Sequence, residues 1–225
     1  MKTRQKELLR WLTFAVGLCI NSFGICFVTK SALGTSQISS IPYVLSLRLP
    51  ALSFGACTFA FNLLLILGQF LILKKDFRPI QLLQLPATLL FSGMIDLSMG
   101  ALSFFQPEAL LLRTGSLLLG CLILAFGICV EVAPQLIMVP GEGMVNALTR
   151  VTSAKFGTVK ICFDVTLIAI AGLISVLLFG HLNGVGLGTL VSALTVGKFV
   201  NLLNRVPFVA GLKQLSVASQ GVDGV

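Results

Sequence analysis

The chain has 225 residues, 56% of them hydrophobic and 11% charged, with a mean hydropathy of +1.00, which excludes a soluble globular domain. Its formal net charge of +8 does not make it a nucleic-acid binder, because the basic residues flank apolar runs and form no clustered soluble face. A single histidine, and six cysteines that include no CxxC pair, leave no metal-ligand spacing, so neither a metal nor a cofactor is implied.

Six runs approach the roughly 20 apolar residues that cross a bilayer core as a helix. The first, 11–29, follows Lys2, Arg4, Lys6 and Arg10. It is too long for a signal-peptide core and no small-residue cleavage site follows it, so it reads as a retained helix. The segment after it, from Ser31 through Gly34, Ser36 and Ser39 to Pro42, is small, polar and broken by Gly and Pro, and leads into a short apolar stretch, 43–49. The second run is 53–73. The third, 80–105, is interrupted by Gln81, Gln84, Pro86 and Asp96, and the fourth is 110–132. Pro134 and then Val139-Pro140-Gly141-Glu142-Gly143-Met144-Val145-Asn146 form a second irregular segment, leading into the short stretch 147–151. Runs 156–179 and 185–203 complete the set. Gly184, Gly186, Gly188 and Gly197 crowd the last one, where they allow close helix contact or line a substrate path.

The chain repeats itself. Phe23-Gly24-Ile25-Cys26 recurs as Phe126-Gly127-Ile128-Cys129, and Phe54-Gly55 with Phe61-Asn62 recurs as Phe156-Gly157 with Phe163-Asp164. The offset is 103 residues for the first pair and 102 for the second, so a one-residue gap reconciles them. Three spans per half is an odd number, so the second half enters the membrane the other way up. The expected fold is an all-α membrane protein with about six transmembrane helices. They form two inverted three-helix repeats, 11–105 and 106–205, between a cytoplasmic N-terminus, 1–10, and a cytoplasmic tail, 206–225. Each repeat carries a short helix after its first span. That helix either re-enters the membrane behind shielding protein or lies at the interface after a surface loop.

Charge placement fits this arrangement. With the N-terminus inside, inner segments hold thirteen basic residues, including Lys74, Lys75, Arg78, Arg150, Lys155 and Lys198, while outer segments hold three, Lys30, Arg48 and Arg113. Such a bias puts both termini in the cytoplasm and makes anionic lipid the partner of the basic residues.

Ionisable groups inside a bilayer cost about 2.5–3.5 kcal/mol each on insertion scales, so each needs a reason. Lys160 and Asp164 stand one helical turn apart, and their repeat mates are Thr58 and Asn62. They either neutralise each other and fix helix packing or open to bind an ion or proton. Asp96 lies well inside the third run with no basic residue one turn away, so another helix must supply its partner or burial must protonate it. Glu131 closes the fourth run at its inner end, where water can solvate it. Glu142, the mate of Ser39, sits between Gly141 and Gly143, which let backbone approach a ligand closely; hydration alone is the other reading. The candidate residues for binding a substrate or ion are thus Ser36, Ser39, Asn62, Asp96, Glu142, Asn146, Lys160 and Asp164. No residue is assigned a catalytic role: there is no GxSxG elbow, HExxH helix, second histidine or nucleotide-binding loop.

The letters Val139-Pro140-Gly141-Glu142-Gly143, Phe156-Gly157, Lys160-Ile161, Phe163-Asp164 and Gly184-Val185-Gly186-Leu187-Gly188-Thr189 resemble the YczE/YyaS/YitT-type integral membrane proteins, over about 17–205. The resemblance implies a multi-pass protein of the bacterial cytoplasmic membrane and supplies no catalytic residue or ligand. The leading expectation is a small-solute or ion transporter working by alternating access between the repeats, its solute unspecified. The alternative is a non-transporting membrane protein that assists or regulates a partner complex.

Overall fold

The computed structural model describes residues 3–207, 209, 211 and 212, so most of the expected tail, 206–225, together with Lys2 and Lys213, lies outside the described residues. Among the described residues the helices follow in the order α1 (Thr3–Lys30), α2 (Ser40–Arg48), α3 (Phe54–Leu73), α4 (Gln84–Ala101), α5 (Leu110–Val132), α6 (Pro140–Thr152), α7 (Phe156–Phe179) and α8 (Leu187–Leu203). Two short 3-10 turns, Lys74–Asp76 and Pro79–Leu83, join α3 to α4. Among the described residues there is no strand.

Among the described residues, five helical stretches are long and apolar enough to cross a membrane: Arg4–Lys30, Phe54–Asp76, Pro79–Ala101, Leu110–Val132 and Phe156–Phe179. The expected sixth run is shorter. Gly184 takes a left-handed φ of +79° and α8 starts only at Leu187, leaving 17 helical residues. That is about 26 Å of helix against a hydrocarbon core of about 30 Å. The irregular segments are also shorter than the sequence suggests. Pro140 occupies the first turn of α6, where a missing N–H costs nothing, so Gly141 to Asn146 are helical. In the first half, α2 already includes Ser40, Ile41 and Pro42.

Helices α1 and α5 form the centre. Gly17 lies against Glu131, Asn21 against Gly127, Gly24 against Leu124 and Val28 against Gly120. As one residue number rises the other falls by the same amount, so the two helices cross antiparallel. A Cβ at Gly24 would stand 2.5 Å from the Leu124 nitrogen, and one at Gly127 would stand 2.5 Å from the Asn21 nitrogen. Glycine is therefore required at this crossing by backbone contact, as in closely packed membrane helices. Helix α4 packs on α1, and α8 packs on α5. Helix α3 contacts α2, α4 and α6, while α7 contacts α2 and α6.

Candidate functional site

The two short helices meet at their N-termini. Gly141, in the first turn of α6, touches the side chain of Ile38, just ahead of α2. The N-terminal residues of both are buried: Ser39, Ser40, Ile41 and Pro42 on one side, Pro140, Gly141 and Gly143 on the other. Their C-terminal ends, Leu47 and Arg48 or Arg150 to Thr152, are exposed. Each short helix thus points its N-terminus into the bundle, where unpaired N–H groups and the positive dipole end favour polar or anionic groups.

Around α2 this requirement is met locally. The Ser36 hydroxyl donates to the Ser39 hydroxyl at 2.9 Å, and both side chains are buried. The segment ahead of them is stitched to the start of α8. Gly188 N donates to Leu33 O at 2.9 Å, Thr35 N to Thr189 Oγ1 at 3.2 Å, and Ser192 Oγ to Thr35 O at 3.2 Å. The glycines and small hydroxyl residues of α8 therefore hold this loop by close contact.

In the first turn of α6, Glu142 is half-buried and makes no hydrogen bond among the described residues. Burial pushes its carboxyl above the ordinary range, the positive charge of Lys160 opposes the rise, and Asp164 adds to it. Lys160 and Asp164 form the expected ion pair, with Nζ 2.7 Å from Oδ1 and 2.9 Å from Oδ2. Glu142, Lys160 and Asp164 thus share one electrostatic neighbourhood where α6 packs on α7. Asn146 lies one turn beyond Glu142 and is half-buried. Asn62 is buried on α3, and its neighbour Phe61 packs with Ile38, Ile41 and Phe163.

Asp96 does not belong to this group. It is exposed near the C-terminal end of α4 and caps α3, accepting from Ser53 Oγ at 2.6 Å and from Gly55 N–H at 2.7 Å. Its partner does come from another helix: it is a helix N-terminus, whose free N–H groups and positive dipole end a side-chain oxygen satisfies. Two recesses mark the ends of the bundle. One, of about 140 Å³, is lined by Asp76, Arg78, Gln84, Gly143 and Arg150; the other is lined by Tyr43, Ser53, Phe54 and Asp96.

Sequence reasoning missed two buried polar pairs. Gln69 and Gln84 exchange amide hydrogen bonds at 3.1 and 3.2 Å, and Gln69 Nε2 also donates to Pro140 O at 3.0 Å, tying α3, α4 and α6 together. Glu131 is not solvated. It is 4% exposed, lies against Gly17, and accepts from Asn21 Nδ2 at 2.7 Å. The glycine positions carried the only signal, since a residue facing Gly17 across the repeat crossing has to be buried. Among the described residues, no group of three or more His, Cys, Asp or Glu side chains is placed to hold a metal ion.

A family model described as "Family of unknown function (DUF6198)" matches residues 8–205. The chain belongs to that family. No curated protein and no solved structure matches it.

Proposed function

We propose that this chain is a multi-pass transporter of a small solute or ion, working by alternating access between two inverted repeats, with both termini cytoplasmic in a bacterial inner membrane. One observation carries the reading: close contacts across the central crossing come in pairs that exchange the two halves. Gly17 and Gly24 of α1 have Gly120 and Gly127 of α5 as mates at the 103-residue offset: the Gly17–Glu131 contact pairs with Gly120–Val28, and Gly24–Leu124 pairs with Gly127–Asn21, with the roles exchanged. Ile38 and Gly141, which touch, are also 103 apart. Contacts paired in this way are what a two-fold axis through the centre of the bundle requires. The neighbours agree, since α1 with α4 corresponds to α5 with α8, and α3 with α6 corresponds to α7 with α2. Re-entrant short helices meeting near the midplane, with buried N-termini, fit the discontinuous helices that build transporter sites. The letters shared with YczE/YyaS/YitT-type proteins support the same membrane and topology.

The substrate or ion site lies where the short helices meet, with Ser36, Ser39, Asn62, Glu142, Asn146, Lys160 and Asp164 around it. Accumulation of candidate solutes in proteoliposomes tests this. Asp164→Asn should abolish accumulation while leaving the protein folded. A folded variant with undiminished flux would reduce the Lys160–Asp164 pair to a packing device. The partner-assisting alternative draws on α7, which packs on α2 and α6 and leaves Ile161, Val165, Leu173 and Leu177 exposed. It predicts full function in Asp164→Asn.

A further inference from the structure

Along α4 the side chains of Gln84, Thr88, Ser92 and Asp96 recur every four residues, forming one stripe about 18 Å long. Both ends of the stripe bind α3: Gln84 through Gln69, and Asp96 through Ser53 and Gly55. The turns between those ends therefore present Thr88 and Ser92 to the same neighbour. A Cβ at Gly55 would in fact meet the Ser92 carbonyl. Thr88 is 1% exposed and Ser92 4%, and neither hydroxyl has a hydrogen-bond partner among the described residues.

This is unusual within the molecule. Eight other helix hydroxyls, Thr13 and Thr58 among them, donate to the carbonyl four residues back, the common resolution for Ser and Thr in membrane helices. Thr88 and Ser92, adjacent on one stripe, do not. The side chain of Asn62, buried on the facing helix, also makes no hydrogen bond among the described residues. The stripe opens at Gln84 into one recess and at Asp96 into the other.

From this we infer that the α3–α4 seam is a binding site for a small, uncharged, hydrogen-bonding solute held by the Thr88 and Ser92 hydroxyls. The Gln69–Gln84 pair and the Asp96–Ser53 contact close the seam towards the two recesses. A neutral guest fits because no charged side chain stands between those closures on the stripe, and an ion buried without a counter-charge is far more costly than a hydrogen-bonded neutral molecule. The inference rests on the transport reading for the seam's use as a route, though not for the site itself.

The test separates the two. Full-length Thr88→Cys and Ser92→Cys, reconstituted in proteoliposomes, are exposed to the small, neutral reagent 2-hydroxyethyl methanethiosulfonate and weighed intact, alongside wild type and Leu89→Cys. Leu89 is 64% exposed on the outer face of α4. One extra adduct at 88 and at 92, and none at 89, is expected. Folded variants without extra adducts at 88 and 92 would overturn the site, whatever the flux. Urea and glycerol permeability are measured on the same vesicles, with the double variant Thr88→Val/Ser92→Ala added. Where wild type conducts, that variant should lower flux roughly tenfold, the worth of one to two hydrogen bonds, and flux equal to that of a conducting wild type would also overturn the site. Adducts at both positions with no flux in wild type would keep the site and discard the transport reading.

Discussion

The helices α3 and α7 carry the same signature, Phe-Gly followed by Phe-Asn or Phe-Asp, yet they live in different surroundings. Gly55 of α3 packs against the Ser92 carbonyl and the Asp96 carboxylate of α4, whereas nothing lies within 4 Å of a Cβ built at Gly157 of α7. Asn62 is buried and neutral, while its mate Asp164 is half-buried and paired with Lys160. Contact between α3 and α4 has no counterpart of similar extent between α7 and α8. The recurring letters thus meet close packing on α3 and open surroundings on α7. There, a carboxylate is tolerable only because its own helix brings a lysine.

Moving the charge into the other half tests this most severely. Asn62→Asp puts a carboxylate at a buried position with Thr58, not lysine, one turn away, and should cost about 2.5–3.5 kcal/mol by insertion scales. The double variant Thr58→Lys/Asn62→Asp should recover part of that loss, as measured by thermal unfolding in detergent. A harmless single variant would mean that the Asn62 environment is already wet.

The paired glycines sharpen the comparison at intermediate size. Gly55→Ala should destabilise by about 1–3 kcal/mol through forced separation of α3 and α4. Gly157→Ala, in open space near the start of α7, should be neutral or stabilising by up to about 1 kcal/mol through helix propensity. Equal effects would show that the two halves pack alike.

The smallest effect concerns pH. Because the folded Glu142 carboxyl is raised above its unfolded value, the folded state binds the proton more tightly, and stability falls as pH rises from about 4 towards the raised value. Glu142→Gln should therefore be more stable than wild type at neutral pH and equal to it near pH 4. Melting curves that keep the same offset between the two proteins at all pH values would place Glu142 in water.

Much of the architecture is legible in the letters. Runs 110–132 and 156–179 match α5 and α7, and one-turn spacing alone gives the Lys160–Asp164 pair. Asp96 was legible as a residue needing a partner, but the N-terminus that supplies it is 41 residues away in the chain, at Gly55. Glu131 read as solvated because its position at a run's end says nothing about the glycine facing it across the crossing.

Taken alone, the sequence determined that the chain is helical, apolar and internally repeated, because hydropathy and recurrence are properties of order along the chain. Only the tertiary structure decided which polar groups are satisfied. It joined Gln69 to Gln84 and Pro140, hid Glu131 behind Asn21, and left the Thr88 and Ser92 hydroxyls without partners among the described residues. Hydrogen bonding and burial depend on what another helix brings within about 3 Å, and no one-dimensional pattern encodes that.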